Sequence, residues 1–152
     1  MAVIKTAFTL TANKSTATTS AGPLSVALSL NASDTLTVDT VTSEIVTIPF
    51  TAATDVATKL IDGGDYMGSG VAGTDGGYVY LKNTTASGAG KIYVGVQKSG
   101  AAVDLDDDAQ DERFCTLERG EFAFFPFDYT MDIYVDASAA SQQIEYWIFD
   151  RA

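Results

Sequence analysis

The sequence predicts an all-β protein: a single antiparallel β-sandwich, jelly-roll-like, spanning residues 1–152. Three observations lead there. Apolar and polar residues alternate with period two through much of the chain, as half-buried strands require. Strand candidates, about ten in all, recur at roughly 8–12-residue spacing between turn signals, the rhythm of sandwiches, jelly rolls and barrels. No long apolar stripe of period 3.6 marks a major helix.

The first third is rich in Thr. Phe8 and Leu10 alternate with Thr9 and Thr11. After the turn signal Ala21-Gly22-Pro23 come Leu24, Val26, Leu28 and Leu30. Asn31-Ala-Ser-Asp34 punctuates, and Leu36 and Val38 then alternate with Thr37 and Asp39. A further strand is expected from about Glu44 to Ile48, with Pro49 ending its pairing or marking an edge. Thr51 to Leu60 is the best candidate for a short helix, with Thr54 as N-cap, against the resistance of its β-branched residues. Asp62 through Gly77 reads as a glycine-rich surface loop. It lacks the spacing and the Gly-Lys-Thr/Ser ending of a phosphate-binding loop, so its glycines are read as turn formers.

Stronger strands follow. Tyr78–Lys82 is expected to pair with Ile92–Val96 across the loop 83–91. Arg113–Leu117 comes after an acidic loop. Glu121–Phe127, Met131–Ala137 and Gln143–Asp150 are then read as a closing meander. Along the last of these, Ile144, Tyr146 and Ile148 face one way, while Trp147 and Phe149 face the other. Phe122 and Phe124 likewise oppose Phe125 and Phe127. A strand apolar on both faces is usually buried on both, and a small two-layer domain has only one core to offer. The second face must meet a loop, a helix or another subunit. Phe122, Phe125, Phe127, Trp147 and Phe149 are therefore expected to include the chief apolar contacts, of the core or of a subunit interface.

Composition sets outer limits. One compact domain accommodates 152 residues. At 46% hydrophobic and 19% charged, the chain is globular with a thinly charged surface. The net charge of −11 opposes nucleic-acid binding, which needs a basic footprint. It equally opposes an anionic membrane surface. The N-terminus has no charged start followed by a sustained apolar run, so synthesis in a cytoplasm without a secretory signal is expected.

Catalytic chemistry is sparse. With no histidine in the chain, the Ser-His-Asp and Cys-His arrangements and the HExxH zinc site are excluded. Paired carboxylates would still suffice for a glycosidase, but the sequence does not say which ones face each other. No enzyme activity and no cofactor are expected. Asp104, Asp106 and Asp108 match the opening of a calcium loop. Ala109 then stands where that loop needs glycine, and Cys115 where it needs a bidentate Glu. The stretch reads as a solvated acidic loop, with a cation site as the weaker alternative. Cys115, the single cysteine, reads as a small apolar strand residue.

The stretches 117–128 (LERGEFAFFPFD), 131–136 (MDIYVD) and 144–151 (IEYWIFDR) resemble the C-terminal part of small virion structural proteins of tailed bacteriophages. The stretches 21–29 and 77–83 are similar in style. The resemblance implies a viral structural protein made in a host cytoplasm and located in the virion. Capsid decoration (cement) proteins head that class, with tail adaptors and fibres beside them. It further implies a β-rich homotrimer whose partners are itself and the major capsid protein or other virion proteins, with no nucleic acid and no membrane. A host-glycan-binding virion module is the alternative from another class.

Overall fold

A computed structural model describes residues 2–12, 28–50, 57–66, 76–88, 90–98 and 113–151. They belong to two compact units, residues 1–38 and residues 39–152. In the first, β1 (Ala2–Ala12) pairs antiparallel with residues 28–38 of β2 (Leu28–Thr47), in a register running from Ala2 opposite Val38 to Ala12 opposite Leu28. The punctuation expected at Asn31–Asp34 is absent. Those residues lie opposite Thr9–Thr6 inside the ladder, so inter-strand bonds satisfy the backbone that a turn would otherwise have to satisfy.

The second unit is the sandwich. Its strands are residues 39–47 of β2, β3 (Thr58–Ile61), β4 (Gly77–Asn83), β5 (Ile92–Lys98), β6 (Arg113–Leu117), β7 (Phe122–Phe127), β8 (Met131–Ala137) and β9 (Gln143–Arg151). The first sheet has the order β2-β9-β4-β7 and the second β3-β8-β5-β6. The pairings nest: β2 with β9, β3 with β8, β4 with β7, β5 with β6. This is one long hairpin rolled up, the jelly roll.

That topology corrects two expected pairings. β4 and β5 are not a hairpin, because β4 lies between β7 and β9 while β5 lies between β6 and β8. Nor are the last three strands a meander, because β8 sits in the other sheet. Apart from β5 and β6, which pair in one sheet, the consecutive strands of this unit cross between layers, and each layer feeds the one core. Val79, Leu81, Ile144 and Ile148 enter from the first sheet, and Ile92, Val94, Ile133 and Val135 from the second, all essentially inaccessible to water. Burying each such side chain contributes about 1.5–3 kcal/mol. The helix expected over Thr51–Leu60 is also corrected at its end, where Thr58–Ile61 is strand. There the β8 ladder and the burial of Ile61 outweigh weak helix propensity. Residues 51–56 of that segment lie outside the described residues.

The outer face of the second sheet is covered from within the chain. Tyr93, Tyr134 and Ala57 form a small buried cluster, and the Arg113 guanidinium lies 3.8 Å over the Tyr93 ring. Fully buried Asp132 accepts from the Gly63 amide at 3.1 Å and pairs with Lys59 at 2.9 Å. Gly63 begins a 3-10 turn, Gly63–Tyr66. A Cβ there would collide with the carbonyl oxygens of Tyr129 and Met131, so only glycine brings this amide to Asp132.

Lys59 also bonds Asp62 at 2.9 Å and holds that carboxyl below its ordinary value near 3.8. A depressed folded value means stabilisation that is present above the ordinary one and lost as acid titrates through the lower one. The stability difference between wild type and Asp62→Asn should therefore hold from neutral pH to about pH 5 and shrink toward zero in stronger acid. Urea melts at stepped pH measure it, and a difference that grew in acid would contradict the pairing.

Candidate interaction surface

The outer face of the first sheet is built differently. On β4, Val79 and Leu81 point into the core, so Tyr78, Tyr80 and Lys82 point out. On β7, Ala123, Phe125 and Phe127 pack inward, leaving Phe122, Phe124 and Pro126 outside. On β9, Ile144, Tyr146 and Ile148 are core, and Glu145, Trp147 and Phe149 lie on the other side. The ladders arrange these nine positions as a grid. Trp147, Tyr80 and Phe124 stand side by side, as do Phe149, Tyr78 and Pro126, and then Glu145, Lys82 and Phe122. Seven of the nine are aromatic or proline. The only two charges, Glu145 and Lys82, have opposite sign and share one end.

The rings pack on one another. Tyr78 and Phe124 stack with centroids 5.4 Å apart and planes 11° from parallel. Tyr80 and Phe122 stack at 5.9 Å, and Trp147 and Phe149 at 6.3 Å. Phe124 meets Phe149 edge-on at 6.2 Å. Pairs of this kind are worth about 0.5–1.5 kcal/mol beyond their burial. The Trp147 indole N–H donates to Glu145 at 2.9 Å. Burial, and then the Glu145 charge, push the Tyr80 phenol above its ordinary value.

The face nevertheless stays open to solvent. Phe122 is 61% exposed, Phe124 39% and Trp147 37%. On β2, Val46 and the following Ile48 pack into the core, and exposed Val41 and Ile45 take the alternate positions. Pro126 lies in β7, which is an edge strand, where a missing amide costs no ladder bond. Phe114 on β6, also exposed, packs against Phe125 at 4.9 Å beside that edge.

The five aromatics named from sequence fall in two places. Phe127 is in the core and Phe125 packs half-buried against it, whereas Phe122, Trp147 and Phe149 are on the outer face. Tyr78, Tyr80 and Phe124 complete the grid and were not in the named set. The alternation Tyr78-Val-Tyr-Leu was their signal, since it sets both tyrosines opposite two core residues. Cys115 is half-buried in β6 and packs against the core, and burial pushes its thiol up. Asp104, Asp106 and Asp108 lie outside the described residues. Among the described residues no group of three His, Cys, Asp or Glu side chains gathers to hold a metal ion.

This arrangement offers no pair of carboxylates across a cleft, because Glu145 is the only acid in the grid. It offers a largely apolar surface with its two charges at one end. Comparison of the chain with known family models and with curated proteins finds no match.

Core and surface aromatics should separate on substitution. Phe127→Ala should cost about 3–5 kcal/mol in urea melts, whereas Phe122→Ser, which loses chiefly its stack on Tyr80, should cost no more than about 1.5 kcal/mol. Equal losses would place Phe122 in the core and remove it from the surface.

Proposed function

We propose that this protein is a non-enzymatic structural component of a phage particle, a capsid decoration protein that stabilises the shell by non-covalent contacts. The carrying observation is the aromatic face of zero net charge on β4, β7 and β9 of a chain whose net charge is −11. Exposed apolar surface of this continuity marks interaction sites in soluble proteins. Aromatic residues are enriched at interface cores and acids depleted there. The jelly roll supports the reading only as a fold that capsid domains use, since lectin domains use it too. The resemblance of residues 117–151 to small virion proteins supplies the particle.

The mechanism is ordinary interface chemistry repeated many times. Each copy needs only a modest surplus of binding energy over the cost of association. A copy bridging two neighbouring shell subunits makes its second contact at high effective concentration. The acidic remainder keeps crowded copies apart. The resemblance favours a homotrimer on a local three-fold axis, bound to the major capsid protein and assembled only on the particle. A tail adaptor or fibre would use the same face on a different partner. A glycan partner is less well served, because sugars stack on a ring face lying open, and here ring faces are turned to one another.

Particles lacking the gene should lose heat and osmotic resistance, and density of the wild-type particle should place the protein on the shell. Unchanged resistance together with density on the tail would replace the cement reading with the tail-adaptor one.

A further inference from the structure

We propose that the outer face of the β2-β9-β4-β7 sheet is where a second copy of this chain docks, face to face and related by a two-fold axis. The inference rests on reading this face as a protein-binding surface and names its partner. Three features of the face favour a second copy.

The first is area. Aromatic side chains carry about 150–250 Å² each, so at the exposures of Phe122, Phe124, Trp147, Val41 and Ile45 roughly 450 Å² of apolar surface is left open. Two copies would together bury about 900 Å², the size of a weak, transient contact. The second is shape. Two sheet faces pack well on each other at about 10 Å separation, and a second copy brings a matching flat face in equal number. A patch that meets its own copy closes with two-fold symmetry, so the products are dimers, or links between larger rings.

The third is charge. Each copy carries −11, so two copies repel at long range, and least when the surfaces that face each other carry no net charge of their own. Within the grid the single acid, Glu145, lies opposite the single base, Lys82. Pairing through this face leaves the acidic remainder of each copy in solvent. Repulsion between the copies is long-range and falls as salt shortens the screening length from about 10 Å at 0.1 M to about 3 Å at 1 M. Salt therefore strengthens this contact, whereas it would weaken a contact held by opposite charges.

Sedimentation equilibrium of the full chain at 0.05 and 1 M NaCl tests the proposal. The mass should rise from 16.0 kDa toward twice that value as salt increases. Phe124→Ser/Trp147→Ser should stay monomeric at 1 M NaCl, and so should Phe122→Lys, which alters a single highly exposed position. Circular dichroism and thermal melts check that each variant folds. A mass independent of salt, a threefold mass, or variants that pair as well as wild type would each overturn the two-fold contact. A wild type that stays monomeric at both salts, while the double variant fails to attach to particles, would remove the second copy and leave the face to a shell protein.

Discussion

The buried Asn83 side chain fixes the relation between the two layers. It ends β4 in the first sheet, and its amide donates to the Leu117 carbonyl of β6 in the second at 3.1 Å. Its side-chain oxygen accepts from the Thr85 amide, while its backbone N–H donates to the Glu121 carbonyl and its carbonyl accepts from the Gly120 amide, at the end of the turn that leads into β7. Gly120, at φ 83°, gives that turn a left-handed residue at no steric cost. One side chain with no exposed surface thus sets where β4 stops, where β6 stops and where the chain reverses. The neighbouring Thr85 hydroxyl donates to Gln142 and accepts from the Gln143 amide, tying the same end to the start of β9. An unsatisfied buried amide costs about 1–3 kcal/mol, so these bonds act chiefly by excluding other registers.

With the layers fixed, the two outer faces take opposite solutions to one problem. Strand β9 is largely apolar on both sides, while β8 carries Asp132, Tyr134 and Asp136 on its outer side. The outer side of β8 is closed by Tyr93, Ala57 and the Lys59–Asp132 pair, so its polar atoms had to be matched within the chain. The outer side of β9 carries rings and one short polar contact at its end. It has no buried charge to match, and among the described residues nothing covers it fully. A ring surface needs no particular hydrogen-bond partner to be covered. It suits a contact that forms and parts, whereas the Asp132 network suits one that stays closed.

Much of this was legible in the sequence, and the limit of legibility is physical. Period-two alternation reports which residues of a strand share a face, and it separated Ile144, Tyr146 and Ile148 from Trp147 and Phe149. It carries no information on which strand lies alongside. Tyr78–Lys82 and Ile92–Val96 look like a hairpin because both alternate and a glycine-rich loop joins them. The same pattern serves two strands facing each other across a core. Asn31–Asp34 carries turn residues, yet ladder partners 22 to 28 positions away in sequence override local preference. Whether an apolar second face is covered or bare depends on which loops return to it, so the contrast between β8 and β9 could not be read from composition.

The size of the bare face bounds how it works. Association costs about 4–15 kcal/mol before any side chain is ordered, and a contact of the size of a weak, transient interface leaves a small surplus. Stacking of the grid rings on one another lowers the remaining cost, because rings already held by their neighbours have less freedom to lose on binding. A pre-ordered face of modest area gives a contact that is specific in shape and weak singly. Such a contact holds when several copies engage at once and releases when one stands alone. The acidity of the chain works in the same direction, since it penalises every approach except the one that hides charge from charge.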